Sequence, residues 1–150
     1  MTQSLLNLLN DQSVDLITLE QILHTQYNDV IIELILLYFQ ANKLCQLSIK
    51  YSQERIIRGK PIIEIPTVKG KLEYAKAMLA IYQSILISDI ARENIIMFIR
   101  TVLSNVLEKL LQIYGASGYM KHNLSTELWL DCRNRISQIT HPYEYENLIS

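Results

Sequence analysis

Turn residues are what this chain has least of. Its 150 residues hold four glycines and three prolines. An all-β fold needs turn residues about every ten positions, and disordered chains are usually rich in proline and glycine, so both classes are disfavoured. Cysteine is as scarce. Cys45 and Cys132 stand alone, with no CxxC and no Cys/His spacing, which indicates neither a disulfide framework nor a zinc site. With no signal-peptide pattern at the N-terminus, the expectation is two reduced thiols in a cytoplasmic protein. Long hydrophobic runs are missing. The most apolar stretch, Val30 to Phe39, is short and contains Glu33, whereas a spanning helix needs about 20 apolar residues. No membrane partner is expected.

One sign of charge is absent locally. Residues 1–41 contain Asp11, Asp15, Glu20, Asp29 and Glu33 but no lysine or arginine. Residues 42–76 contain eight bases (Lys43, Lys50, Arg55, Arg58, Lys60, Lys69, Lys71 and Lys76) against three acids (Glu54, Glu64 and Glu73). The formal net charge of −1 hides this segregation. A local basic patch suits a phosphate-bearing ligand, an acidic partner, or the acidic N-terminal segment of the same chain or of a second copy. A nucleic-acid partner is not expected, because no basic run is interleaved with stacking aromatics.

What the chain does have is helical periodicity. Apolar residues make up 49% of it, enough for a core in one domain of this length. Residues 1–27 read as one or two short helices, broken at Asp11-Gln12-Ser13. Thr18 to Gln21 has capping-box spacing, while Ser13 or Asp15 could equally start the second. A helix over about 29–57 follows, with Val30, Leu34, Leu37, Ala41, Leu44, Cys45 and Ser48 at steps of three and four. Between 30 and 39 apolar residues fill almost every position, so this half is either central or covered by a second chain. Gly59 is expected to end that helix in a left-handed conformation, and Pro61 cannot continue it. Ile62, Ile63 and Ile65 read as a short extended segment, and Pro66 suits the first position of a helix over 66–87. That helix carries Leu72, Ala75, Leu79, Tyr82, Ile85 and Leu86 on one stripe. Ser88-Asp89 can cap the next, about 90–114, where Ile95, Ile99, Val102, Val106, Leu110 and Ile113 keep the period. A turn at Gly115–Gly118 leads to a last helix over about 124–139, with Leu128, Cys132, Arg135 and Ile139 on one side. The spacing predicts an all-α fold of four long helices in an up-down bundle, with an extra N-terminal helical segment over 1–28 and the bundle over 29–150.

No catalytic constellation is complete. His24, His122 and His141 lie apart, near expected helix ends, and read as surface or capping residues. No Glu-x-x-His, GxSxG, P-loop or GxGxxG occurs, so no metal site and no catalytic residue is assigned. The nine tyrosines read as core and interface residues with a hydrogen-bonding tip.

Two blocks carry a resemblance. The first is Tyr51-Ser-Gln-Glu54-Arg55-Ile-Ile-Arg58-Gly59-Lys60-Pro61-Ile62, continuing through Glu64 and Val68 to Lys71-Leu72. The second is Leu111-Gln112-Ile113-Tyr114-Gly115-Ala116-Ser117-Gly118-Tyr119, then Leu130-Asp131-Cys132-Arg133. In this order and separation they resemble the C-terminal helical domain of the acyl-CoA dehydrogenase family. That family shows Tyr…Glu-Arg, Phe-Gly-Lys/Arg-Pro-Ile, Phe-Gln and Lys-Leu, then Leu-Gln-Ile-His-Gly-Gly-x-Gly-Tyr and Arg-Asp-Ala-Arg. The resemblance covers about residues 30–140.

It implies an up-down four-helix bundle that meets FAD at a domain and subunit boundary. Arg55 would approach the FAD phosphates, and Gln112, Gly115 and Gly118 would approach the cofactor of a neighbouring subunit. The partners implied are a homo-oligomer or a flavoprotein subunit. The departures bear on activity. Arg58 replaces an aromatic, Pro66 replaces the FAD-contacting glutamine, and Ala116 replaces the second glycine. Where the family often has its catalytic glutamate in Tyr-Glu-Gly-Thr, this chain reads Ile139-Thr140-His141-Pro142-Tyr143. The family's β-domain and N-terminal domain do not fit into 150 residues. The resemblance therefore implies a partner or remnant of a flavin-dependent acyl-thioester oxidoreductase, inactive alone. The alternative is a non-catalytic interaction or oligomerisation bundle that has lost the flavin.

Overall fold

The computed structural model of the protein describes residues 2–11, 13–25, 29–88, 92–115 and 124–140. The fold is all-α apart from one two-residue hairpin. Two short helices come first, α1 (Thr2–Asn10) and α2 (Leu16–His24). The break between them is an Asx turn, in which the Ser13 N–H donates to Asp11 Oδ1 at 3.0 Å. Of the candidate starts for the second helix, Asp15 is the one used. Its Oδ1 accepts from the Thr18 N–H at 2.7 Å, satisfying one of the unpaired donors of the first turn.

The long helix α3 (Asp29–Glu54) is the centre of the molecule. It packs against α7, α4, α2 and α6 and touches α1. Ile32 and the whole run Leu34 to Tyr38 are buried. So the apolar stretch is wrapped by its own chain, not by a second one. Leu9, Leu19 and Leu23, from α1 and α2, belong to the same hydrophobic core. The expected stripe from Leu34 to Ser48 is buried at every position listed above for it beyond Val30, whose side chain lies outside the described set.

Helix α4 (Pro66–Ile87) begins at its proline, where the missing N–H has no helical partner to lose. Ser88 closes this helix, donating its N–H to the Ile85 carbonyl at 3.3 Å; Asp89, the other half of the expected cap, lies outside the described residues. Helix α5 (Arg92–Phe98) runs through a π-helical segment (Ile99–Leu103) into α6 (Ser104–Ile113). The Ser104 N–H donates to the Ile99 carbonyl, one residue further back than in an α-helix. The added residue turns Leu103 fully into the core and leaves Val102, expected on the stripe, half-buried. The last helix is α7 (Leu124–Thr140).

Side-chain contacts give the direction of each helix. Tyr82, near the end of α4, donates its hydroxyl to the Leu34 carbonyl near the start of α3 at 2.7 Å. Its ring stacks on Phe98 of α5 with centroids 5.9 Å apart, while Lys109 of α6 sits 5.3 Å from the Tyr74 ring earlier in α4. Tyr114, just past α6, accepts from Ser125 in the first turn of α7. Arg135, late in α7, reaches back to the first half of α3. It pairs with Glu33 and donates Nε–H to Gln40 Oε1 at 2.9 Å. Sequential long helices therefore run antiparallel. Glu33, out of place in an apolar run, anchors the far end of α7 to α3.

Two consequences can be measured. Tyr82 is wholly buried and its hydroxyl has one partner, so Tyr82→Phe should cost about 1 kcal/mol. That corresponds to a fall of roughly 2–4 °C in melting temperature for a chain of this size. Burial pushes the thiol of Cys45 up to about 11 and that of Cys132 up to about 12, from 9.0. The unfolded chain releases these protons first. The thiols thus subtract stability as the pH rises above about 9, and not below it. Alkylation of both at mildly alkaline pH should track global unfolding, and fast labelling of the native protein would contradict it.

Candidate functional site at the hinge end of the helices

The only expected site residues that the structure describes are Arg55, Gln112 and Gly115; Gly118, with Ala116, lies outside the described residues. All three fall at one end of the molecule, and the local chemistry shows how. The last α3 turn closes with the Arg55 N–H donating to the Tyr51 carbonyl at 2.8 Å. The helix therefore stops at Glu54, three residues before the expected end. The chain then turns back on itself. Strand β1 (Ile56–Ile57) pairs antiparallel with β2 (Lys60–Pro61), in register Ile56 with Pro61 and Ile57 with Lys60.

Arg58 and Gly59 form the two-residue loop, with φ of +53° and +78°. Two consecutive positive φ values are the signature of a type I′ hairpin turn, whose twist matches that of the strands. Gly59 is left-handed as expected, but it serves the hairpin and not the helix end. The pattern Ile-Ile-x-Gly-Lys was a hairpin signal, missed because the strands are only two residues long.

The Ile62 N–H closes the loop on the Arg55 carbonyl at 2.9 Å. One 3-10 turn, Ile62–Glu64, replaces the extended segment expected there. Its cause is visible in the bonding: the Ile65 N–H returns to the Ile62 carbonyl at 3.0 Å, and Ile62 is buried against the core. Ile65 is then extended, with φ −69° and ψ 124°, as a residue preceding proline prefers.

The two motif blocks meet at this end. Tyr51 of the first and Tyr114 of the second pack ring against ring, tilted by 35° with centroids 4.5 Å apart. The buried Tyr114 hydroxyl accepts from Ser125 Oγ at 2.8 Å, tying the ends of α3 and α6 to the start of α7. Gly115 follows directly, with φ +57°, and a Cβ there would meet nothing within 4 Å. Its conformation, not a close approach, is what favours glycine. Ser125 could not be found from the sequence, since nothing in it pairs residue 114 with 125.

Around this framework the surface is open. Arg55, Gln112 and Gly115 are exposed. A groove of about 390 Å³ runs beside the hinge, lined by Ile63, Glu64, Lys69, Leu72, Glu73 and Lys76. Lys76 lies 3.7 Å from Glu73. The groove thus mixes both signs of charge and offers no net field for an anion. Among the described residues no group of three or more His, Cys, Asp or Glu is placed to hold a metal, and no helix is long and apolar enough to cross a membrane. A scan of protein-family models, a search of curated proteins and a search of solved structures each found no match.

The hairpin gives a direct test. An arginine held at positive φ costs roughly 1 kcal/mol, whereas Asn-Gly is the preferred type I′ pair. Arg58→Asn should therefore raise stability by about 0.5–1 kcal/mol, seen as a higher urea midpoint. A lower midpoint would mean that the Arg58 side chain itself holds the turn.

Proposed function

We propose that the chain is a divergent helical domain of the acyl-CoA dehydrogenase type, an up-down four-helix bundle. In this reading it is a partner or remnant of a flavin-dependent acyl-thioester oxidoreductase and does no chemistry alone. The observation that carries it is the meeting of the two motif blocks. Two blocks separated along the chain, each of which resembles the family's pattern, converge at one end through Tyr51 and Tyr114. Arg55 leaves α3 at that same end with its guanidinium exposed, free to form paired hydrogen bonds with a phosphate.

The described residues do not by themselves enclose a flavin. The groove beside the hinge sets Glu64 and Glu73 against Lys69 and Lys76, and so gives a pyrophosphate no net attraction. Pro66 supplies neither an amide side chain nor an N–H. α-Proton abstraction needs a base within hydrogen-bond reach, and no carboxylate of the motif stands in the family position. FAD would supply the hydride acceptor if a partner completed the pocket; no step is assigned to this chain. Its part would be a phosphate contact from Arg55 and the backbone turn at Gly115.

A second reading is favoured by the openness of the same surface. Exposed Arg55 and Gln112 suit a non-catalytic interaction bundle equally well.

Titration of purified protein with FAD, followed by melting temperature, separates the two. If Arg55 contacts the phosphates, FAD at about a hundred times its Kd adds about 2.7 kcal/mol. The midpoint should then rise by roughly 5–10 °C, and Arg55→Ala should abolish the rise. No shift in the wild type removes the flavin role and leaves the interaction bundle.

A further inference from the structure

The hairpin and helix α2 carry opposite charge around exposed isoleucines, and the fold keeps them apart. Ile56 and Ile57 are 53% and 48% exposed. Between Arg55 and Lys60 there are three bases and no acid. Among the described residues, none of Arg55, Arg58 and Lys60 has an ion-pair partner. On α2, Ile17 is 72% exposed, the most exposed of the large apolar side chains described. Asp15 and Glu20 flank it, with the Glu20 carboxylate 3.6 Å from His24 Nε2 on the same face, and Ile22 is exposed on another side of the helix.

Each patch is mixed in the same way, an aliphatic centre with a charged border, and the borders are of opposite sign. Such a pairing excludes water from the isoleucines while the charges set orientation and rate. The two patches do not meet within one molecule. The α1–α2 connection packs on the middle of α3, where Leu9 and Val14 share a groove with Phe39 and Lys43. Arg55 lies roughly 18 Å further along the helix axis. Neither hairpin strand packs to any extent on α1 or α2 among the described residues. Arg58 adds an independent sign, because a costly left-handed arginine stands where asparagine would hold the turn better.

We infer that the basic isoleucine hairpin of one copy docks on the acidic outer face of α2 in a second copy. The contact joins two different surfaces of the same chain. A two-fold pair satisfies both patches of each copy at once, which is the commonest closed arrangement. The inference stands apart from the flavin reading, since it uses neither Gln112 nor the Gly115 turn.

The test is a charge exchange on the full chain, read by sedimentation. Wild type at low ionic strength, about 0.05 M, should sediment as more than one copy, and about 0.5 M salt should weaken the association. Arg58→Glu lowers the hairpin's charge from +3 to +1 and sets an acid against the acidic helix. Glu20→Arg removes the net charge of Asp15 and Glu20 and sets a base against the basic hairpin. Each variant alone should lose affinity by about ten-fold or more. Mixed in equal amounts they should associate again, because the unaltered hairpin of one variant then meets the unaltered α2 of the other, and the introduced acid meets the introduced base. Asp15 is left intact because it caps α2. Ile17→Gln should weaken association without the salt dependence changing. Circular dichroism and melting temperature check that each variant is folded. A wild type that stays monomeric at low salt overturns the inference. So does an oligomer that both charge variants leave unchanged. A monomer that instead sediments with phosphatidylserine vesicles would assign the hairpin to an anionic lipid surface.

Discussion

The structure depends on hiding one helix. The first half of α3 is apolar on nearly every face, and an isolated helix of that kind cannot remain in water. No two-helix contact can cover it, because a single neighbour shields only one stripe. The chain supplies α4, α7, α6 and the N-terminal α2, so that Ile32 and Leu34 to Tyr38 are all buried. The apolar run is therefore a demand for neighbours within the molecule. It does not by itself argue for a second copy.

Among the described residues, polar groups inside this packing are satisfied locally or across it, apart from the buried Trp129 Nε1, which has no hydrogen-bond partner. Ser48 and Ser52 return their hydroxyls to carbonyls one turn back in α3, at 2.8 and 2.7 Å, which costs no partner from another helix. Tyr82 reaches a carbonyl of α3, and Arg135 takes both Glu33 and Gln40. These few long-range bonds determine which helix lies beside which, a decision that aliphatic packing alone makes weakly.

At the other end the constraint changes from burial to chain reversal. The segment from Arg55 to Ile65 has to turn α3 into α4. It uses a type I′ hairpin, a 3-10 turn and a proline in succession. Compact reversal leaves Ile56, Ile57 and the neighbouring cations outside the core. This is where the two readings of function converge. The exposed surface at this end is the by-product of a tight turn built over the Tyr51–Tyr114 contact.

The helices were legible in the sequence because helix formation leaves a local periodic trace. The bounds of α4 and the start of α7 follow from Pro66 and from the stripe through Cys132. Asp15 was one of three candidate caps, and only the bond to Thr18 distinguishes it. The hairpin was not legible as such, since strands of two residues have no period, and a single glycine fits a helix end as well as a turn. The π segment was hidden for the opposite reason: Val102 and Leu103 both fit the stripe, and the choice of Leu103 belongs to the packing of α4 and α7. The sequence by itself determined the class of structure and the segregation of charge, which are local or compositional properties, and left the central place of α3 as one of two alternatives. Only tertiary structure decided that Tyr51 meets Tyr114, that Arg135 meets Glu33, and that acidic α2 and the basic hairpin stay apart, because such pairings depend on distances that close only when the helices pack.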